Sequence, residues 1–400
     1  MRKGIVIATG IFFLLEFYAY QGFKTLLNKK WQKIAYIIAT IIPYLLIVYL
    51  FLNFKSTTNN PTQVNIITTV FLGVFLPKIW VVLFLLIEDI LRISSFIFSK
   101  IAHRKGFYSQ RRKFISVLGF GAAGFFSLLI FDGVFFGKFR HRVRQVKLKL
   151  QFLPKSFKGY KIVQISDVHS GSFNNPNKLQ HAIDLINEQK PDLVLFTGDM
   201  VNNLAEEFER LIPLFSQIKA KDGKFAVLGN HDYGLYHYKT EKEQQINVQK
   251  LIELEKQAGF QMLRNENVAI EKNGEKLYLV GVENWGLPPF PQYGDLDKAT
   301  SGLPINSAKI LMSHDPTHFD QIVKKHPSNI QLTLSGHTHG MQFGLDLKNI
   351  KWSPVKYRYS KYMDLYESLG KYLYVNRGFG VIGYPGRVGI NPEITLFILE

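Results

Sequence analysis

Five short motifs in the second half of this 400-residue chain bring together side chains that bind divalent cations. They read D-V-H at Asp167 to His169, G-D at Gly198–Asp199, G-N-H-D at Gly229 to Asp232, S-H-D at Ser313 to Asp315 and G-H-T-H at Gly336 to His339. Each offers a carboxylate, an imidazole or an amide oxygen, which suit hard or borderline metals. Each also follows an apolar run of strand character: KIVQIS, DLVLFT, FAVLG, KILMS and QLTLS. Donors at the ends of several strands can meet at one point, and a dinuclear metal site is built by such convergence. Gly, Asp and Asn favour turns, so any one motif alone reads as a turn after a strand. Five in order do not.

The set resembles the calcineurin-like metallophosphoesterases over residues 158–400. The resemblance implies hydrolysis of a phosphoester at two divalent ions (Mn, Zn or Fe) about 3.5–4 Å apart. By motif position, Asp167, His169 and His339 would hold one ion and Asn230, His314 and His337 the other, with Asp199 bridging them. The residue types suit that division. A bridging carboxylate has an oxygen for each ion. Neutral imidazoles hold the metal without cancelling its charge, and the single amide leaves the site electrophilic. Water held there would be acidified, to a pKa near 7 in the best-known metal–water case. It would attack phosphorus in line with the leaving group.

The resemblance also makes His231 the general acid, outside the ions and facing the leaving oxygen. Some relatives orient this histidine with a carboxylate three residues after the bridging aspartate. Asn202 occupies that position here, and its amide stabilises an imidazolium less well. Met341 follows His339-Gly340 where close relatives often have two glycines, and it adds bulk at the entrance. Arg377, in Asn376-Arg377-Gly378, resembles a late motif of membrane-linked members, and packing away from the site is its favoured reading.

The elements that must position these groups alternate. Strand signals at Tyr160–Ile165, Pro191–Thr197 and Lys224–Leu228 are separated by helical ones at Asn177–Glu188 and Leu204–Ile218, and Glu241–Ala258 is a long polar-faced helix. Short strands follow at Gln261–Leu263, Val268–Glu271, Leu277–Val280, Lys309–Met312, Gln331–Leu334, Tyr372–Val375 and Ile394–Leu399. A βαβαβ section followed by many strands predicts an α/β fold of two packed sheets flanked by helices. The four-layer αββα sandwich of the resembled family fits this order.

The first third differs in composition. Apolar stretches at Ile5–Tyr20, Ile34–Phe54, Ile66–Ile90 and Phe114–Phe136 approach or exceed the roughly 17–25 residues of a membrane span. The first is short and contains Glu16. A cleaved signal is its alternative reading, though no small-residue cleavage site is evident. The expected division is a transmembrane helical domain of about four spans at 1–137, a basic linker and first strand at 138–159, and a catalytic domain at 160–400. Segment Lys138–Lys149 alternates charge with Phe139, Val143, Val146 and Leu148, and reads as an edge strand with some contact to anionic headgroups.

Charge follows the same division. Residues 1–149 carry 21 Lys/Arg against 4 Asp/Glu, whereas residues 150–400 carry 28 against 27. The near-neutral second part has no basic excess for nucleic acid, which is therefore an unlikely partner. With no cysteine, disulfides, thiolate metal sites and cysteine nucleophiles are excluded.

Eleven Lys/Arg lie in the loops after the first and third apolar stretches, from Lys24 to Lys33 and from Arg92 to Lys113. The opposite side has Arg2, Lys3 and Lys55, and gains six more only if Lys138–Lys149 is counted. The positive-inside rule then leans toward an outward-facing catalytic domain. The run Gln110-Arg111-Arg112-Lys113-Phe114 resembles a twin-arginine export signal, although plain positive-inside charge explains it equally. Both readings leave that loop in the cytoplasm.

Substrate choice is less legible. Asn284–Tyr293 is rich in Pro and aromatics, and Trp352 to Tyr366 carries Tyr357, Tyr359, Tyr362 and Tyr366 together with Arg358. They could form a stacking rim, an aromatic belt or ordinary packing. The expected function is a membrane-anchored phosphodiesterase or pyrophosphatase, with a lipid-linked substrate as one candidate. The rivals are a soluble-nucleotide phosphodiesterase and a non-catalytic membrane sensor.

Overall fold

The computed structural model describes residues 2–52, 61–101 and 109–400. Lys55, Arg104 and Lys105, used in the charge count, and the end of the Ile34–Phe54 stretch lie outside the described residues. The chain divides into two compact units, Met1–Phe135 and Phe136–Glu400.

The first unit is helical. It contains α1 (Arg2–Leu26), α2 (Lys30–Leu52), α3 (Pro61–Val70), α4 (Lys78–Ile101) and α5 (Ser109–Phe135). A π-helical stretch, Phe71–Phe75, joins α3 to α4 just before Pro77, whose ring cannot continue a regular helix. Among the described residues three segments are long and apolar enough to cross a membrane: Lys30–Leu50, Thr62–Phe98 and Gln110–Phe139. Their large apolar side chains are mostly exposed, as in Ile42, Ile87 and Leu128. Polar groups face one another inside instead. Lys78 pairs with Glu16 and lies 3.1 Å from Thr40 Oγ1, and the Tyr36 hydroxyl is 3.3 Å from Glu16. Arg112 reaches Glu88 at 3.0 Å and Asp89 at 2.6 Å, and Arg111 reaches Glu88 at 3.5 Å. The arginine pair thus fastens α5 to α4, and Glu88 is almost fully buried between them. In an apolar medium such charges persist only when paired.

The second unit is built on fourteen strands. These are β1 (Arg142–Leu148), β2 (Lys161–Ile165), β3 (Leu193–Phe196), β4 (Lys224–Ala226), β5 (Phe260–Met262), β6 (Glu266–Lys272) and β7 (Glu275–Gly281). After them come β8 (Lys309–Met312), β9 (Leu332–Ser335), β10 (Leu345–Asp346), β11 (Lys351–Trp352), β12 (Asp364–Ser368), β13 (Lys371–Val375) and β14 (Glu393–Leu399). One six-stranded sheet has the order β1-β14-β2-β3-β4-β5, the other β12-β13-β9-β8-β7-β6, and β10-β11 is a small hairpin.

Strand alternation makes the layers. Leu193 and Leu195 point between the sheets, where they meet Leu279, Ile310, Leu334 and Phe397. Val194 and Phe196 point the other way, toward α6 (Gln180–Glu188), α7 (Ile212–Phe215) and α8 (Glu241–Gln257). On the far face Leu311 and Val375 pack against α9 (Leu296–Thr300) and α10 (Thr317–Gln321). The result is the expected four-layer αββα arrangement.

Two differences from the sequence expectations have local causes, and one expectation about the basic segment is met. The helical segment at Leu204–Ile218 opens as a 3-10 turn, Ala205–Leu211, because Pro213 lacks the N–H that a continuous helix would use. Strand β12 was not expected. It is an edge strand with half-exposed alternation, DLYES, and tyrosine-rich rim sequence surrounds it. The basic Lys138–Lys149 segment does contain a strand, β1, and it pairs in parallel with β14 from Arg142↔Glu393 to Leu148↔Leu399.

Candidate metal centre

Strands β2, β3 and β4 are parallel neighbours in one sheet, and β8 and β9 are parallel neighbours in the other. Their C-terminal ends therefore share one edge of the sandwich, where ligands gather in open α/β sheets. Asp167 follows β2, Asp199 follows β3, Asn230 follows β4, His314 follows β8, and His337 and His339 follow β9. Gln164, wholly buried, holds the two sheets together beneath this edge through a 3.0 Å bond to the Ser335 carbonyl.

The turns that deliver these side chains are strained. Asp167, His169, Asp199, His337 and His339 all have positive φ, between 48° and 69°. Non-glycine residues rarely adopt that region, and it clusters at functional sites. Two glycines permit the crowding. A Cβ on Gly229 would sit 2.2 Å from Asp199 Oδ1, and one on Gly336 would sit 2.1 Å from Asp167 Oδ2.

Two groups of donors result: Asp167, His169 and His339, and then Asp199, His314 and His337. In the first, His339 Nε2 lies 3.0 Å from His169 Nε2 and 3.2 Å from Asp167 Oδ1. In the second, His314 Nε2 lies 3.1 Å from Asp199 Oδ2, and His337 Nδ1 lies 2.9 Å from Asn230 Oδ1. Asp199 Oδ2 is also 3.6 Å from His169 Nε2, so one carboxylate faces both groups. Lone pairs converge in each group, and a divalent cation fits that donor set.

The electrostatics agree. Burial drives His169, His337 and His339 below the ordinary imidazole pKa, which leaves the rings neutral with a lone pair to give. Burial opposes charge on His314 too, but the Asp199 carboxylate outweighs it and raises His314 to about 10. Its Nδ1 donates to the Thr197 carbonyl at 2.7 Å. Nε2 is thereby turned to Asp199, the orientation that metal-binding imidazoles adopt.

His231 lines the same pocket, together with Tyr236, Phe290, Val355, Tyr359 and Ile382 beside the donors; the pocket volume is about 430 Å³. Its Nδ1 is 2.7 Å from the main-chain carbonyl of Asn202. The expected partner, the Asn202 side chain, bonds Ser172 Oγ instead. A peptide carbonyl thus replaces the side-chain acceptor.

Comparison with known proteins agrees with this geometry. Residues 160–341 match the family described as "Calcineurin-like phosphoesterase", and residues 1–138 match "Probable Calcineurin-like phosphoesterase, transmembrane domain". An uncharacterized metallophosphoesterase, YkuE of Bacillus subtilis, is 31% identical over 299 residues, covering 73% of this chain and 98% of that one. The chain belongs to the calcineurin-like phosphoesterases. Phosphodiesterase YaeI of Escherichia coli is 28% identical to this phosphoesterase, over 64% of this chain and 87% of that one. "Transmembrane protein with metallophosphoesterase domain" of Danio rerio is 29% identical, and the match covers 65% of this chain and 57% of that protein. The calcineurin-like phosphoesterases use divalent metals, so this is a membrane-associated, metal-dependent phosphoester hydrolase.

Sequence reasoning missed several residues of this phosphoesterase. The Asp232 carboxylate accepts bonds from the amides of Asp199, Met200 and Gly229 at 2.8 Å each and from Val201 at 3.2 Å. It buckles the loop carrying Asp199 to the loop carrying Asn230. Burial pushes this carboxyl up to about 7, Asp199 adds to the rise, and the amides oppose it. The final D of G-N-H-D was its only signal. Arg377 packs away from the centre, against Glu393 at 2.7 Å and Asp364 at 2.8 Å. Arg387 comes close in its place, with Nη2 3.3 Å from His339 Nδ1 and its other nitrogens on the carbonyls of Arg377 and Gly380. No motif marked it.

Proposed function

We propose that the chain is a phosphodiesterase of the membrane surface that binds two divalent ions and cleaves a lipid-linked phosphodiester or pyrophosphate, with its catalytic unit on the outer face. The observation that carries this reading is Asp199, whose Oδ2 faces His314 at 3.1 Å and His169 at 3.6 Å, one from each donor group. Asp167, His169 and His339 would hold one ion, Asn230, His314 and His337 the other, and Asp199 both. Bound there, the ions supply a Lewis acid for the phosphoryl oxygens and an acidified water as nucleophile.

The chain's own residues do the rest. Asp232 keeps the two ligand loops in register through its four amide bonds. The Asn202 carbonyl accepts a hydrogen bond from Nδ1–H of His231, which leaves Nε2 to carry the proton for the departing oxygen. No Lys or Arg lines the pocket among the described residues. The wall therefore adds no cation for a second charge on the reacting phosphorus, which favours a disubstituted, singly charged phosphoryl group over a dianionic monoester. Tyr236, Phe290, Val355, Tyr359 and Ile382 give the flanking group an apolar, aromatic wall. The helical unit that precedes the catalytic one on the same chain supports an anchored substrate.

A panel of phosphoesters tests this, with lipid pyrophosphates, alkyl diesters, monoesters and cyclic nucleotides, each with Mn, Zn and Mg. Diester or pyrophosphate turnover that rises with lipid linkage is expected. Equal turnover of cyclic nucleotides without lipid would favour the soluble-nucleotide reading. No turnover and no metal would favour the sensor.

A further inference from the structure

Two tyrosines at the mouth of the pocket touch ligands of only one of the two donor groups. Tyr359 Oη lies 2.7 Å from Nε2 of His337. Tyr236 Oη accepts a 3.1 Å bond from Nδ2 of Asn230. Each contact settles an orientation that the ligand itself leaves open. An imidazole has two tautomers, and an amide can flip by a half-turn. With Nε2–H donated to Tyr359 at 2.7 Å, and the Asp315 carboxylate 3.4 Å from the same nitrogen, His337 turns the lone pair of Nδ1 inward. With Nδ2 given to Tyr236, Asn230 turns Oδ1 inward. These two inward atoms are the pair 2.9 Å apart.

The other donors are fixed differently. His314 is oriented by the Thr197 carbonyl, and Asp167 accepts from the His337 amide at 2.9 and 3.0 Å. Those are main-chain contacts inside the sheet edge. The tyrosine contacts come instead from the pocket wall, since Tyr236 and Tyr359 both line it. Ring packing keeps them there: Tyr236 lies 4.8 Å from the His231 ring and Tyr359 lies 5.4 Å from the His337 ring, between centroids.

We infer that Tyr236 and Tyr359 are positioning residues for the ion held by Asn230, His314 and His337, and that they link its affinity to occupancy of the pocket. The inference rests on the two-ion reading above. A substrate that packs on the tyrosine rings restrains the same hydroxyls that hold His337 and Asn230. Substrate and the second ion then strengthen each other's binding, and linkage makes the effect reciprocal. Partners of metal ligands typically govern affinity or activity by about 10–100-fold.

Calorimetric titration of the metal-free full-length protein with Mn tests this, with and without a non-hydrolysable phosphorothioate diester. The intact chain should bind two ions, the weaker one tightened by the diester. In Tyr359→Phe and Tyr236→Phe the weaker event should loosen by about 10–100-fold, and the tighter event should be unchanged, which also reports an intact fold. Turnover should recover at high Mn. Ile382→Ala removes pocket wall without touching a ligand and should leave both metal affinities unchanged. One ion or none in the intact chain would defeat the two-ion reading itself. Two ions with unaltered affinities in both tyrosine variants would overturn the positioning role alone.

Discussion

The main-chain carbonyl of Asn202 lies 2.7 Å from Nδ1 of His231. With Nδ1 engaged there, Nε2 is the nitrogen left to carry a proton to a leaving oxygen. His231→Asn should therefore slow an alkyl phosphodiester by roughly 10²–10⁴-fold, the usual contribution of general acid catalysis. A nitrophenyl ester needs little help with its leaving group and should fall much less. Metal content should be kept. Equal losses on the two esters would remove His231 from the acid role.

Because a peptide group makes that contact, the side chain at 202 is dispensable to it. Asn202→Ala should lower kcat by less than about 3-fold, a small part of the general-acid term. A loss as large as that of His231→Asn would mean that the side chain orients the histidine after all.

Asp199 Oδ2 lies within 4 Å of an imidazole from each donor group, His169 at 3.6 Å and His314 at 3.1 Å. Asp199→Asn should lose most of its bound metal in elemental analysis, together with turnover. Retention of two ions at full activity would reassign the bridge.

Glu255 on α8 is fully buried, and neither carboxylate oxygen has a hydrogen-bond partner. Burial raises it well above the ordinary 4.5, and the charge of Asp232 adds to the rise. The native state holds the proton more tightly than the unfolded chain. Its contribution to stability is thus complete below about pH 4.5 and is lost as pH climbs through the raised native value. Glu255→Gln should abolish this decline. Thermal unfolding in detergent and chelator should show the variant matching the parent at pH 4.5 and exceeding it at pH 8. Parallel profiles would show that the buried carboxyl does not titrate.

Arg111 and Arg112 are engaged with Glu88 and Asp89 rather than displayed. Lysine can keep those ion pairs but not a twin-arginine signal. Arg111→Lys with Arg112→Lys should leave a C-terminal reporter on the outer face, as in the parent. An inward reporter in the parent would overturn the topology, and one only in the variant would restore the export-signal reading.

The candidate donors were legible because each combines a strand, a turn and a chemically distinctive side chain, as with Gly336 to His339 after β9. The layers were legible from alternation such as Leu193 to Phe196. What escaped notice works through the backbone or at a distance in sequence. Asp232 acts on peptide amides, Asn202 acts through its carbonyl, and Tyr359 reaches His337 from an irregular segment. Arg377 and Arg387 carry the same charge ten positions apart. Only the carboxylates around Arg377, Glu393 and Asp364 among them, decide which arginine turns away.

Strand β14 lies between β1 and β2. The ribosome makes β1 and β2 some 230 to 250 residues before their common neighbour, as the registers Arg142↔Glu393 and Gln164↔Thr395 record. Until residues 393–399 arrive, both earlier strands present an open edge, the kind that invites pairing with another chain. Order of synthesis and order of assembly are therefore opposed. The catalytic unit closes last at the place where it began, and on the outer-face topology proposed above those two edges must be protected for the whole of the passage across the membrane.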